Sequence, residues 1–89
     1  MAAGSEARRW RDADGEHIDV RGLAAPAPLV QILTLVDALD GDAATPRVVI
    51  VHHERDPMLL YPELAERGWR ADRVDGEAGE FRLRLERVP

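Results

Sequence analysis

The side chains best suited to chemistry lie in one short block, His52-His53-Glu54-Arg55-Asp56. Imidazole nitrogen is a common ligand of Zn, Fe, Cu or Ni, and histidine can also act as a general acid or base. Adjacent side chains on a regular strand point to opposite faces, so His52 and His53 could share one metal only where the strand breaks. We therefore expect one histidine to bond backbone at a strand end and the other to be solvated. A metal or haem site that uses His52 or His53 is the alternative.

A second stretch, residues 21–28, reads Arg-Gly-Leu-Ala-Ala-Pro-Ala-Pro. Its glycine permits a turn, and its two prolines suit the first turn of a helix, where backbone donors lack internal partners. The amides at such a helix start could hold an anion with the help of a nearby arginine. The candidate ligand-binding residues from the two stretches are Arg21, Gly22, Ala25, Pro26, His53, Arg55 and Asp56.

The residue inventory excludes several kinds of chemistry. The chain has no cysteine, and all twelve of its basic residues are arginine, so thiolate and Schiff-base catalysis are both ruled out. This lysine-free composition also favours a bacterial genome of high GC content. The net charge of -5 disfavours nucleic-acid binding. With no apolar run long enough to span a bilayer, we expect a cytoplasmic protein without a membrane partner.

The pattern of apolar residues predicts the elements that must position these side chains. Eighty-nine residues suffice for one domain, which we place at 16–89 after a flexible leader at 1–15. Alternating or β-branched residues predict strands at 16–21, 48–51, 69–74 and 80–87. Helical spacing predicts one helix from the prolines to about residue 40 and a second from residue 61 or 62 to 67.

The order β-α-β-α-β-β predicts an α+β two-layer sandwich, with a four-stranded mixed sheet and two helices on one face. Right-handed crossovers make the first two predicted strands parallel, so their carboxyl ends meet at one edge. That edge should unite the two candidate stretches. His17 lies at the other end of its strand, about 13 Å from Arg21 at ~3.3 Å per residue, and we expect it to be a poor partner for His52 or His53.

The motif Asp19-Val20-Arg21-Gly22-Leu23 followed by Pro26-x-Pro28 resembles the signature of the TusA/SirA-like sulfur carriers. In those carriers a cysteine precedes the first proline, and here that position is Ala25. The later blocks, 53–57 and 61–69, look more like uncharacterised bacterial relatives that lack the cysteine and sometimes occur beside hemerythrin-like domains. The resemblance implies the TusA/SirA-like fold, while the missing cysteine excludes sulfur transfer.

These observations favour a non-catalytic module without a cofactor. We expect it to bind a partner protein or a small anionic ligand at the edge formed by residues 25–28 and 53–56. The resemblance implies a hemerythrin-like or redox protein as one candidate partner. One alternative is a metal- or haem-linked redox or nitrosative-stress protein that uses His52 or His53. Another is an RNA-binding protein that uses arginines such as Arg82 and Arg84 on an open sheet face.

Overall fold

The computed structural model describes residues 6–41 and 47–89 and places five strands and two helices in them. The predicted α+β class is confirmed. The strands are β1 (Arg8–Asp12), β2 (Gly15–Asp19), β3 (Val48–His53), β4 (Trp69–Val74) and β5 (Phe81–Arg87). The helices are α1 (Ala27–Asp40), between β2 and β3, and α2 (Leu60–Glu66), between β3 and β4. No helix in the described ranges is long and apolar enough to cross a bilayer.

The five strands form one mixed sheet in the order β1-β2-β3-β5-β4. The pair β2–β3 is parallel and the other three pairs are antiparallel, as the crossover through α1 requires. Alternate strand residues pack with both helices in one buried cluster, which includes Ile18, Val49, Leu83, Ile32 and Leu64. Both helices therefore cover the same face, and burying each large apolar side chain there contributes about 1.5–3 kcal/mol. We call the opposite face the open face.

The sheet has one strand more than predicted, because residues 8–12 form β1 and not part of a flexible leader. Only Trp10 is large and apolar in this strand, so hydrophobic alternation could not reveal it. The strand is held by antiparallel pairing with β2 through a short hairpin. Gly15 makes the hairpin possible, since it adopts a φ of +135° and any Cβ there would lie 2.4 Å from the carbonyl oxygen of Val48. Residues 1–5 of the predicted leader lie outside the described residues.

The remaining elements agree with prediction to within two residues at their ends. The segment 69–74 is a strand as predicted, and α1 runs to Asp40. β3 continues through both histidines to His53, which extends it two residues past the β-branched run. Helix α2 starts at Leu60, one residue early, because Leu60 is fully buried and joins the core.

Candidate functional site

A pocket of about 320 Å³ opens at the carboxyl ends of β2 and β3. It lies between the loop that enters α1 and the loop that enters α2, where the parallel strands predict a site. Its walls are mainly apolar, and the residues that form them include Leu23, Ala25, Pro26, Leu29, Pro57 and Leu59. The size and the apolar walls are typical of pockets that accept a small molecule or a side chain of another protein.

Two hydrogen bonds hold the loops around the pocket. The amide of Gly22 donates to Oε1 of Glu54 at 2.8 Å and ties the β2–α1 loop to the β3–α2 loop. Gly22 has a φ of +83°, a conformation that glycine adopts readily. The hydroxyl of Tyr61 donates to Oδ1 of Asp56 at 2.5 Å and joins the second loop to α2. Burial, together with this bond, raises the pKa of Tyr61 to about 12.

Five of the seven predicted ligand-binding residues line this pocket: Ala25, Pro26, His53, Arg55 and Asp56. Gly22 does not line the pocket, but its amide donates a hydrogen bond to Glu54, which does. Arg21 does not line the pocket, because its guanidinium bonds both carboxylate oxygens of Asp19 at 3.0 and 2.8 Å. The same contact lowers the pKa of Asp19. Arg21 therefore forms a local ion pair with Asp19 at the end of β2.

The start of α1 offers fewer free amides than an anion site needs. Pro26 and Pro28 have no N–H, and the amide of Ala27 already donates to the carbonyl of Ala24 at 2.9 Å. The amide of Val30 donates to the carbonyl of Pro26 at 3.1 Å. The prolines that mark the helix start in the sequence thus also remove the donors from it.

His53 caps the end of β3 and faces the pocket. Its Nδ1 accepts hydrogen bonds from the amides of Glu54 at 2.9 Å and Arg55 at 3.3 Å. A neutral ring that accepts at Nδ1 carries its hydrogen on Nε2. Burial lowers the pKa of His53, which favours this neutral form. The ring therefore presents an N–H donor, and using Nε2 as a metal ligand would require it to give up both backbone bonds.

His52 points to the open face, as strand alternation predicts, but it is buried and not solvated. Its Nε2 lies 2.8 Å from Nδ1 of His17, and its Nδ1 lies 2.5 Å from Oε2 of Glu80. Trp10 of β1 stacks on both imidazole rings, at centroid distances of 4.8 and 5.2 Å. Because their rings lie on opposite sides of the sheet, His52 and His53 do not converge on one metal.

The expectation that His17 is a poor partner for His52 is wrong. In the parallel pair His17 lies opposite Ile50, so His52 is its diagonal neighbour on the same face. Diagonal neighbours are about 7–8 Å apart at the backbone, which two facing imidazole rings can bridge. Separation along β2 alone does not determine this contact, because it also depends on the register between β2 and β3.

His17 and His52 belong to a longer chain of hydrogen-bonded groups on the open face. Nε2 of His17 lies 2.8 Å from Oδ1 of Asp12, and Arg82 donates to both oxygens of Glu80 at 3.0 and 2.8 Å. We call Asp12, His17, His52, Glu80 and Arg82 the open-face chain. Burial alone would raise the pKa of Glu80, but hydrogen bonds from Arg82, the Glu77 amide and His52 outweigh it and lower that pKa to about 2.

Three arginines of β4 and β5 on the open face are paired with carboxylates. Arg84 and Arg70 both bond Oε1 of Glu86 at 2.8 Å, and Arg82 bonds Glu80. The bonded carboxylates offset the positive charge of these guanidinium groups locally. An RNA-binding surface would need arginines that reach outward to phosphates.

Most of the chain matches the model of a known protein family. Residues 17–87 match the model of a family described as an uncharacterised conserved protein, DUF2249. No curated protein and no solved structure shows significant similarity to the chain. The matched segment runs from within β2 to the end of β5 and therefore includes the pocket and most of the open-face chain.

Proposed function

The chain belongs to the DUF2249 family, and we propose that it is a non-catalytic module that binds an apolar segment of a partner protein. The binding site in this proposal is the pocket at the carboxyl ends of β2 and β3. The observation that carries the proposal is the combination of this pocket with two exposed apolar side chains on its wall. Met58 is 67% exposed and Leu59 is 75% exposed, although both line the pocket.

Exposed apolar side chains around a concave apolar surface are typical of protein–protein contact sites. Met58 adds a flexible thioether that can adapt to different partner side chains. The next residue, Leu60, is fully buried and begins α2. Met58 and Leu59 are therefore attached directly to a rigid element. An apolar partner side chain could enter the pocket while these two residues cover it.

The chemistry of the pocket supports binding over catalysis. None of the residues that line it is a serine, threonine, cysteine or lysine, so it has no ordinary nucleophile. The ring of His53 is held neutral by two backbone donors, and Glu54 and Asp56 each accept an internal hydrogen bond. These polar groups stabilise the two loops.

The proposal includes a relationship to the TusA/SirA-like sulfur carriers. Its support is the order strand, glycine turn, paired prolines and helix, with Ala25 in the position of the carrier cysteine. Ala25 is exposed and lines the pocket. We infer that a surface used for sulfur delivery in the carriers serves here for binding without a thiol.

A small anionic ligand is the second candidate, and Arg55 favours it. The guanidinium of Arg55 makes no hydrogen bond or ion pair to any side chain in the described ranges, and Arg55 and His53 both line the pocket. An apolar carboxylate could place its chain in the pocket and its charge near these donors. The nearby carboxylates of Glu54 and Asp56 oppose this arrangement, so we rank it second.

Site-specific photo-crosslinking tests the first candidate. A benzophenone side chain at position 59 should give discrete adducts with a partner in extracts of the source cell, while the same group at the exposed Glu66 on α2 should not. Ala25→Trp fills the pocket mouth at an exposed position and should remove the adducts without loss of thermal stability. Adducts that persist in Ala25→Trp would contradict a role for the pocket.

Calorimetric titration with octanoate distinguishes the second candidate, a small anionic ligand, from a site that recognises apolar groups alone. If the ligand is anionic, Arg55→Gln should weaken octanoate binding by about tenfold, the effect of one lost charged contact of about 1.4 kcal/mol. Leu59→Ser is the control variant, because it replaces one of the two exposed apolar side chains on the pocket wall. If Leu59→Ser lowers affinity and Arg55→Gln does not, the site recognises apolar groups alone.

A further inference from the structure

We propose that the β1–β2 hairpin binds a divalent transition-metal ion between Asp12, Asp14 and His17. This site lies on the open face, away from the pocket, and is independent of the proposed binding function. One ligand atom from each of the three side chains lies within 4.8 Å of the other two. One imidazole nitrogen and two carboxylate oxygens form a donor set that suits Zn, Mn, Fe or Co.

The hairpin places the three side chains together by local geometry. Asp12 is the last residue of β1, Asp14 lies in the turn, and His17 lies within β2. Oδ1 of Asp12 accepts the amide of Asp14 at 2.8 Å, which holds the turn closed. Asp12 and Asp14 are exposed, so water could complete the coordination of an ion at this position.

The open-face chain supplies a second observation, because it fixes the orientation of the His17 ring. Nδ1 of His17 lies 2.8 Å from Nε2 of His52, and Nδ1 of His52 lies 2.5 Å from Oε2 of Glu80. Arg82 in turn donates to both oxygens of Glu80.

This arrangement directs the other ring nitrogen of His17 towards the two aspartates. Nε2 of His17 lies 2.8 Å from Oδ1 of Asp12. Because His17 is only 6% exposed, packing and not solvent fixes the position of this nitrogen.

The 2.8 Å between these atoms is close to what a shared metal requires. Two ligand atoms at bond lengths of about 2.1 Å and near a right angle lie about 3 Å apart. The partners behind His17 also match a metal site, where the ligating histidine donates its other N–H to a group that fixes its orientation. Here that group is His52, which Glu80 holds in turn, while Trp10 stacks on both rings.

Calorimetric titration of untagged protein with Zn²⁺ tests this proposal. We expect one saturable equivalent of Zn²⁺ for the wild type and at least tenfold weaker binding for Asp14→Asn. Asp14 is the most informative ligand to change, because its side chain makes no hydrogen bond within the described residues and its replacement should leave the fold intact. Asp75→Asn removes the same charge at another exposed position, so it is the control and should bind Zn²⁺ within twofold of the wild type.

The fluorescence of Trp10 provides a second measurement, which reports where the metal ion binds. Cu²⁺ quenches nearby indoles, and Trp10 stacks on the ring of His17 at 4.8 Å. We expect Cu²⁺ to quench the wild type at one equivalent, and Trp10→Phe to abolish this quenching while Zn²⁺ binding persists. The proposal is overturned if the wild type shows no saturable Zn²⁺ binding up to about 1 mM. It is equally overturned if His17→Gln or Asp14→Asn binds Zn²⁺ as tightly as the wild type.

Discussion

Replacing Glu80 by glutamine removes the negative charge at the centre of the open-face chain and keeps the size of the side chain. The carboxylate of Glu80 is only 1% exposed and accepts hydrogen bonds from Arg82, His52 and the amide of Glu77. The amide of glutamine can accept some of these bonds but cannot offset the charge of Arg82. We therefore expect Glu80→Gln to lower the free energy of unfolding at neutral pH.

The magnitude follows from the pKa of Glu80, which is lowered from 4.5 to about 2 in the folded protein. At about 1.4 kcal/mol per pKa unit, this difference corresponds to about 3 kcal/mol of stability. Because the folded-state pKa is the lower one, this contribution is complete above the unfolded value of 4.5. It is lost as the pH falls from there towards 2. Glu80→Gln should lack this part of the acid dependence.

Urea unfolding followed by circular dichroism at pH 7, 5, 3 and 2 measures the effect. Between pH 7 and pH 2, the free energy of unfolding of the wild type should fall by about 3 kcal/mol more than that of Glu80→Gln. Other carboxylates titrate in both proteins and cancel in the difference. Glu77→Gln, which removes a neighbouring exposed charge but keeps the backbone amide, should follow the wild type. Identical pH dependence of the wild type and Glu80→Gln would refute the reasoning.

Two further predictions concern the backbone and the core. Gly15→Ala should destabilise the protein by more than about 2 kcal/mol in the same urea assay, because its Cβ would collide with the carbonyl of Val48. Gly22→Ala has a positive φ but open space around it, so it should cost only about 1 kcal/mol, and equal losses would contradict this account. Leu64→Ala, at 1% exposure, should cost about 2–5 kcal/mol, whereas Leu59→Ala should change stability by less than about 0.5 kcal/mol; similar values for the two leucines would contradict the burial argument.

The edge that carries the pocket could be predicted from sequence because its determinants are local. The glycine turn and the prolines at residues 22–28 locate the end of one strand and the start of a helix. The β-branched run at 48–51 locates the second strand. Once the crossover between them is right-handed, the two strand ends must meet. The size of the pocket, its apolar character and the separate ion pair of Arg21 with Asp19 depend on how side chains pack, which periodicity does not report.

The open-face chain could not be predicted in the same way, since its members are distant in sequence. Asp12 and His17 come from a hairpin whose first strand has little apolar alternation, while His52 and Glu80 come from β3 and the start of β5. A shift of one residue between β2 and β3 would place His17 and His52 on opposite faces. The sequence by itself determined the elements from β2 onwards, their order and the edge with the pocket, because local spacing and chirality control these. Only the tertiary structure decided that His17 meets His52, because strand register is set by the packing of the whole sheet.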